Sequence, residues 1–145
     1  MKGSGYVRGH LCPAGDRDTD KSLLKETYLT SNMAPMTMVC NSGAWKIVED
    51  SCRILAKRHG KLIVAAGTIF LDDSLGVHKV NGISVPAAFF RIARCATHQE
   101  HMWIWLVQNS WGGSKPVRID VKSLEEVIQP RQIVISILKY HGLID

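Results

Sequence analysis

No run of apolar residues in this chain reaches the roughly 18 that a transmembrane helix needs, so no membrane partner is expected. The opening stretch, MKGSGYVRGH, has no apolar segment of the signal-peptide kind, although the mature form of a secreted protein reads the same way. There is no C-x-x-C pair. The four cysteines (Cys12, Cys40, Cys52 and Cys95) stand at spacings of 28, 12 and 43, which argues against a structural zinc site. Cys52 and Cys95 lie in apolar surroundings and read as buried free thiols. An even count also permits disulfides, so the redox compartment stays open. Neither an internal repeat nor a low-complexity tract nor a linker divides the sequence, and one domain over 1–145 is expected. Acidic residues are the scarcer sign, 13 Asp and Glu against 18 Lys and Arg, for a net charge of +5. That excess suits an anionic partner without identifying one.

What is present is an ordinary globular composition, 46% apolar and 21% charged, on a chain long enough to bury a core. The first 40 residues are rich in Gly, Pro, Asp and Thr, with a short helix expected at DKSLLKET, capped by Asp20 or Thr19. TYLTSNMAP reads as a strand that closes at Pro35. From Ser42 to about His59 the apolar residues Trp45, Val48, Cys52, Leu55 and Ala56 recur at steps of three and four, the pattern of an amphipathic helix. Gly60 follows a basic last turn and marks its stop. Strand-like runs come next at KLIVAAG, GVHKV, AAFFRIARC and MWIWLVQ, with turns near Gly82 and at THQEH. SLEEVIQ reads as a short helix, and QIVISILKY as a terminal helix or strand. Strands and helices without regular βαβ alternation indicate an α+β domain.

The chemistry concentrates in YVRGHLCPAGDR, residues 6 to 17, where Arg8 and His10 sit two apart and share one face of an extended segment. Asn32 lies in TSNMAP, and Asn41 stands at the start of the long helix. Asn41, Trp45, Glu49 and Arg53 then follow at steps of four, each advancing about 40° round the axis and about 6 Å along it. Asn41 and Glu49 are thus about 12 Å apart along the helix, and serve one site only if water bridges part of the gap. An amide oxygen suits Mg²⁺, which keeps several waters and takes few protein ligands. An imidazole, with an ordinary pKa of about 6.5, can accept a proton from water near neutrality. Arg8 or Arg53 could hold a phosphate oxygen. Together these parts would make a one-metal phosphodiesterase. Each also has a plainer role: His10 as a bonded turn residue, Asn41 as a helix N-cap, Glu49 with Arg53 as a surface ion pair, Trp45 as core.

GSGYVRGHLCPAGDR, TYLTSNMAPM and CNSGAWKIVED, taken in order, resemble the DNA/RNA non-specific endonuclease family. Its hallmarks are Asp-Arg-Gly-His, then Ser-Asn-Met-x-Pro-Gln, then Asn with Trp and Glu downstream. VPAAFFRIA is similar to the family's later Val-Pro-x-x-Phe-x-Lys strand. The resemblance implies an α+β fold with a ββα-metal (His-Me finger) core, a mixed or antiparallel sheet and flanking helices. By motif position it implies His10 as general base, Asn41 as Mg²⁺ ligand (Mn²⁺ possible), and Glu49 as the carboxylate that holds metal-bound water. It further implies Asn32 as a supporting polar residue, Arg8 as the motif arginine and Arg53 as an arginine associated with the substrate phosphate. The expected partner is DNA or RNA, contacted through its phosphates with little sequence preference, and cut to 5′-phosphorylated fragments. Two departures stand out. Val7 occupies the place of the family's Asp, and only six residues precede it where the family has a considerable segment. A non-catalytic nucleic-acid-binding module of the same fold is the alternative. A chain completed by another chain or by a homodimer partner is a third reading.

Overall fold

The computed structural model describes residues 3–70 and 78–128. β1 (Tyr6–His10) pairs antiparallel with β2 (Met33–Thr37), placing Arg8 opposite Pro35 and His10 opposite Met33. Between them run a 3-10 turn at Ala14–Asp16, α1 (Lys21–Glu26) and a second 3-10 turn at Thr30–Asn32. α1 starts where its cap was expected, because the Asp20 carboxylate accepts from the Ser22 and Leu23 N–H groups at 2.7 and 3.3 Å.

The strand expected to close at Pro35 instead begins at Met33 and continues to Thr37, with Thr30 to Asn32 in the 3-10 turn before it. The reason is directional. The Pro35 carbonyl accepts from Asn109 Nδ2 (3.0 Å) and the Thr37 N–H donates to Asn109 Oδ1 (2.8 Å), so these residues turn their polar groups away from β1. Proline's missing N–H therefore costs the ladder nothing. Asn109 Nδ2 also donates to the Pro86 carbonyl at 2.9 Å, so one amide joins the β1–β2 pair to the main sheet.

The helical path begins at Met38, earlier than Ser42, and passes through a π-helical turn at Cys40–Trp45 before α2 (Lys46–His59). Gly60 stops it with a φ of 79°, a conformation other residues adopt only at a cost. β3 (Leu62–Ile69) follows, then a hairpin of β4 (Lys79–Val80) and β5 (Ile83–Ser84) turning at Asn81 and Gly82. Both of those residues have positive φ, 51° and 76°, as a two-residue type I′ turn demands. β6 (Ala88–Cys95), β7 (Met102–Gln108) and β8 (Val117–Ile119) complete an antiparallel sheet in the order β3-β6-β7-β8. α3 (Val121–Ile128) is the expected short helix, while QIVISILKY lies outside the described residues.

Both faces of the sheet are covered at its central strands β6 and β7, which is why those strands read as apolar runs, whereas Ile63 and Val64 of β3 stay exposed. Phe89 and Ala93 of β6 meet Trp45, Val48 and Cys52 from the helix on one face. Phe90 and Ile92 meet Leu124 and Ile128 of α3 on the other. The fold is thus α+β with antiparallel sheets, and β1, β2 and the π turn–α2 unit form a ββα arrangement on one side of it. All four cysteines are free, three of them buried and Cys12 half-buried.

Because Asn109 satisfies three backbone groups of buried residues at once, Asn109→Ala should cost about 3 kcal/mol, read as a fall in the urea midpoint with unchanged slope.

Candidate active site

β1 has two unlike faces, as alternation in a strand requires. Val7 packs against the helix-side core, and Gly9 is buried so closely under Met36 that a Cβ would overlap that side chain. Tyr6, Arg8 and His10 take the opposite, outer face. Val7 therefore fills core on the side of β1 away from Arg8 and His10.

Three contacts fix the end of β1. The Trp45 indole N–H donates to the His10 carbonyl at 3.0 Å, tying the strand to the π turn that carries Asn41. The Leu11 N–H donates to the Asn32 carbonyl at 2.9 Å. Asn32 then uses its whole amide: Oδ1 accepts from the Cys12 N–H, and Nδ2 donates to the Cys12 and Thr27 carbonyls, all at 2.8 Å. Asn32 is thus a clamp on the loop after His10, its polar atoms spent on backbone.

The His10 ring stands edge-on to Tyr28, with centroids 5.4 Å apart and planes at 90°. Its Nε2 is buried and has no hydrogen-bond partner among the described residues. A polar atom left in that condition is costly unless something absent from the free protein satisfies it. Asn41 is half-buried inside the π turn, and its amide makes no hydrogen bond among the described residues. The N-cap role that an Asn at a helix start takes by default does not apply, because the helical path is already under way at Met38. π turns recur at functional sites, where the extra residue turns a side chain out of the regular helical ladder.

A second group of charges lies along α2. Arg53 pairs with Asp16 (Nε to Oδ1, 3.0 Å) and with Asp50 (Nη1 to Oδ1, 2.8 Å), not with Glu49 as the four-residue spacing suggested. The loop at Ala14–Asp16 draws the guanidinium away. Asp16 also binds Arg91 (Nη2 to Oδ2, 3.2 Å), which is only 2% exposed and whose Nη1 donates to the Leu11 carbonyl at 3.3 Å. Arg91 further sits 5.7 Å from the centre of the Trp45 ring. Asp16 and Arg91 were absent from the sequence-based candidates. The available signal was a charged residue interrupting the apolar run AAFFRIARC. Arg8, by contrast, is exposed and makes no ion pair or hydrogen bond among the described residues. Of the two arginines considered for a phosphate, Arg8 is the one left open.

Among the described residues no three His, Cys, Asp or Glu side chains come together as a metal-ligand set. A divalent ion at this place would depend on amide and water oxygens, a manner of binding that suits Mg²⁺ and fits the unpartnered Asn41 amide. A cavity of about 540 Å³ adjoins the ion-pair network, lined by Asp16, Arg53 and Arg91 but by neither His10 nor Asn41. It is therefore not the imidazole's own pocket.

Burial pushes the Glu49 carboxyl above its ordinary range, while Arg91 and Arg53 pull it down. A carboxyl whose folded pKa exceeds its unfolded one destabilises the fold when ionised, fully above the folded value and not at all below the unfolded one. Glu49→Gln should accordingly raise the melting temperature near neutral pH and lose that advantage on acidification through the Glu49 titration. Thermal scans between about pH 7 and about pH 4 measure this.

Against known proteins, the family model for DNA/RNA non-specific endonucleases matches residues 1–134. Human mitochondrial nuclease EXOG is 30% identical over 99 residues, covering 62% of this chain and 27% of that protein. A nuclease of Nostoc sp. is 36% identical over 90 residues, covering 62% and 32%. Human mitochondrial endonuclease G is 29% identical over 100 residues, covering 63% and 34%. The chain thus spans about a third of the length of these relatives. A crystal structure of EndoG in complex with EndoGI superposes with a TM-score of 0.72 at 27% identity, covering 87% of this chain and 58% of that one.

Proposed function

The chain belongs to the DNA/RNA non-specific endonuclease family, and from that membership we propose that it hydrolyses phosphodiester bonds of DNA and RNA with His10 as the general base. The observation that supports this most directly is the buried, unpartnered Nε2 of His10 on the outer face of β1. Its strand is held to the Asn41 turn by the Trp45 indole.

In this reading His10 takes a proton from the attacking water. Arg8, with no partner among the described residues, holds a phosphate oxygen through its guanidinium and offsets the charge that builds during attack. Asn41 supplies the protein oxygen that would hold Mg²⁺, or Mn²⁺ in its place. Such an ion, when bound, polarises the phosphate and eases departure of the alkoxide. Glu49, half-buried on α2, orders water beside that amide. Asn32 keeps the loop after His10 in place, so that the imidazole meets the attacking water at one angle. Arg53, engaged by Asp16 and Asp50, acts from α2 as a positively charged neighbour of the substrate rather than as the principal clamp. Contacts of this kind address the sugar-phosphate backbone, which explains little dependence on base sequence.

His10→Ala should reduce Mg²⁺-dependent plasmid cleavage by at least about 100-fold while moving the melting temperature little, because the imidazole leaves a buried nitrogen unsatisfied in the free protein. Equal cleavage by mutant and parent would remove His10 from the mechanism. Asn41→Ala should lose activity together with a weakened Mg²⁺ titration, and an unchanged titration would contradict the ligand assignment. Salt-sensitive binding without any cleavage in Mg²⁺ or Mn²⁺ would instead support a binding module of this fold.

A further inference from the structure

Beyond the reacting groups, the outer face of β1 continues into an aromatic strip. Tyr6, Arg8 and His10 follow one another over about 13 Å of strand. At one end the Trp111 ring meets Tyr6 with centroids 4.8 Å apart and planes at 61°. At the other end Tyr28 stands against His10. Trp111 and Tyr28 are 54% and 58% exposed, so two large rings flank the imidazole and an arginine that has no partner among the described residues.

Trp111 is held in this exposed position. Gly5 has a φ of 79°, and a Cβ there would come within 2.6 Å of the Trp111 ring, so the indole lies directly against backbone. The turn that carries it is fastened to β2, where the Thr37 hydroxyl donates to the Ser110 carbonyl at 3.0 Å and the Asn109 amide accepts from the Thr37 N–H and donates to the Pro86 carbonyl. The Gly112 N–H closes the turn on the Ser110 hydroxyl at 3.2 Å. A half-exposed indole packed on Tyr6 and Gly5, and carried by a turn fastened in this way, gives up little freedom on binding, which is the condition under which an aromatic surface gains affinity.

We infer that this strip is a binding track for single-stranded nucleic acid, with a base stacked on Trp111, a second against Tyr28 and the intervening phosphates facing Arg8. The inference deepens the nuclease reading and rests on nucleic acid being the substrate. Its chemistry follows from the rings: every base has a π-face that can stack on an aromatic side chain, whatever its sequence. In a duplex those faces are already covered by neighbouring base pairs, so a duplex offers Arg8 its phosphates and offers Trp111 nothing comparable. Arg8 should therefore serve both substrates, and Trp111 chiefly the single strand.

Binding of a fluorescent oligothymidylate and of a duplex of equal length, measured by anisotropy in EDTA, isolates binding from cleavage. Trp111→Ala should weaken the oligothymidylate about tenfold and leave the duplex nearly unchanged, and Trp111→Phe should restore most of the loss. In Mg²⁺ the same alanine variant should raise KM for the single strand with kcat unaltered. Equal loss on both substrates, or no loss on either, would overturn the inference while leaving cleavage by the parent intact. A parent that holds oligothymidylate through Trp111 yet cleaves nothing in Mg²⁺ or Mn²⁺ would support the track and retire the nuclease reading.

Discussion

A guanidinium buried to 2% exposure sits where the main sheet, the loop after His10 and α2 converge. Arg91 cannot stay there alone, since an uncompensated charge in such surroundings is among the costliest things a fold can contain. Its partners are drawn from separate stretches of chain: Asp16 and the Leu11 carbonyl from the loop, and the Trp45 ring from the π turn. Asp16 in turn takes Arg53 from α2. Pairing the two terminal nitrogens of this buried guanidinium thus draws the loop down on the helix, while its Nε keeps no hydrogen-bond partner among the described residues. That loop begins at the residue after His10, so the imidazole's place follows from the arginine's requirement. Asp16 and Arg53 remain partly open to water, which weakens their own pairing. The buried end of the network, not its rim, is where the constraint resides.

The division of β1 into two faces carries the second part of the argument. Val7 and Gly9 close the helix-side core, and the same alternation sends Tyr6, Arg8 and His10 outward. A core position and a reactive position are one residue apart, so the chemistry borrows its rigidity from the packing beneath it. Val7 at the position of the family's Asp has a direct physical account in this light. The residue faces core, where a branched apolar side chain is well accommodated, and Arg8 is left with its charge unspent.

Much of the architecture was legible in local pattern. The three- and four-residue spacing of Trp45, Val48, Cys52 and Leu55 gave α2, Gly60 gave its stop, and the apolar runs gave β3, β6 and β7. Where the reading missed, the cause lay far away along the chain. Pro35 looked like the end of a strand because its tolerance depends on Asn109, 74 residues later. Arg53 looked like the partner of Glu49 because the competing Asp16 is 37 residues earlier. The π turn has no periodic signature short enough to detect, so the helix appeared to start at Ser42 and Asn41 appeared to be its cap.

By itself the sequence determined the elements, the family and the residue types gathered near the first strand, because periodicity, turn chemistry and ordered motifs act over short spans of chain. Tertiary structure alone decided which of those residues are spent and which remain open. Asn32 is consumed by the Cys12 and Thr27 backbone, and Arg53 by two carboxylates, whereas among the described residues nothing meets the capacity of Arg8, Asn41 and the His10 Nε2. Hydrogen-bonding capacity is exhausted by whatever lies within about 3 Å. That neighbourhood is assembled from strands, loops and helices dozens of residues apart.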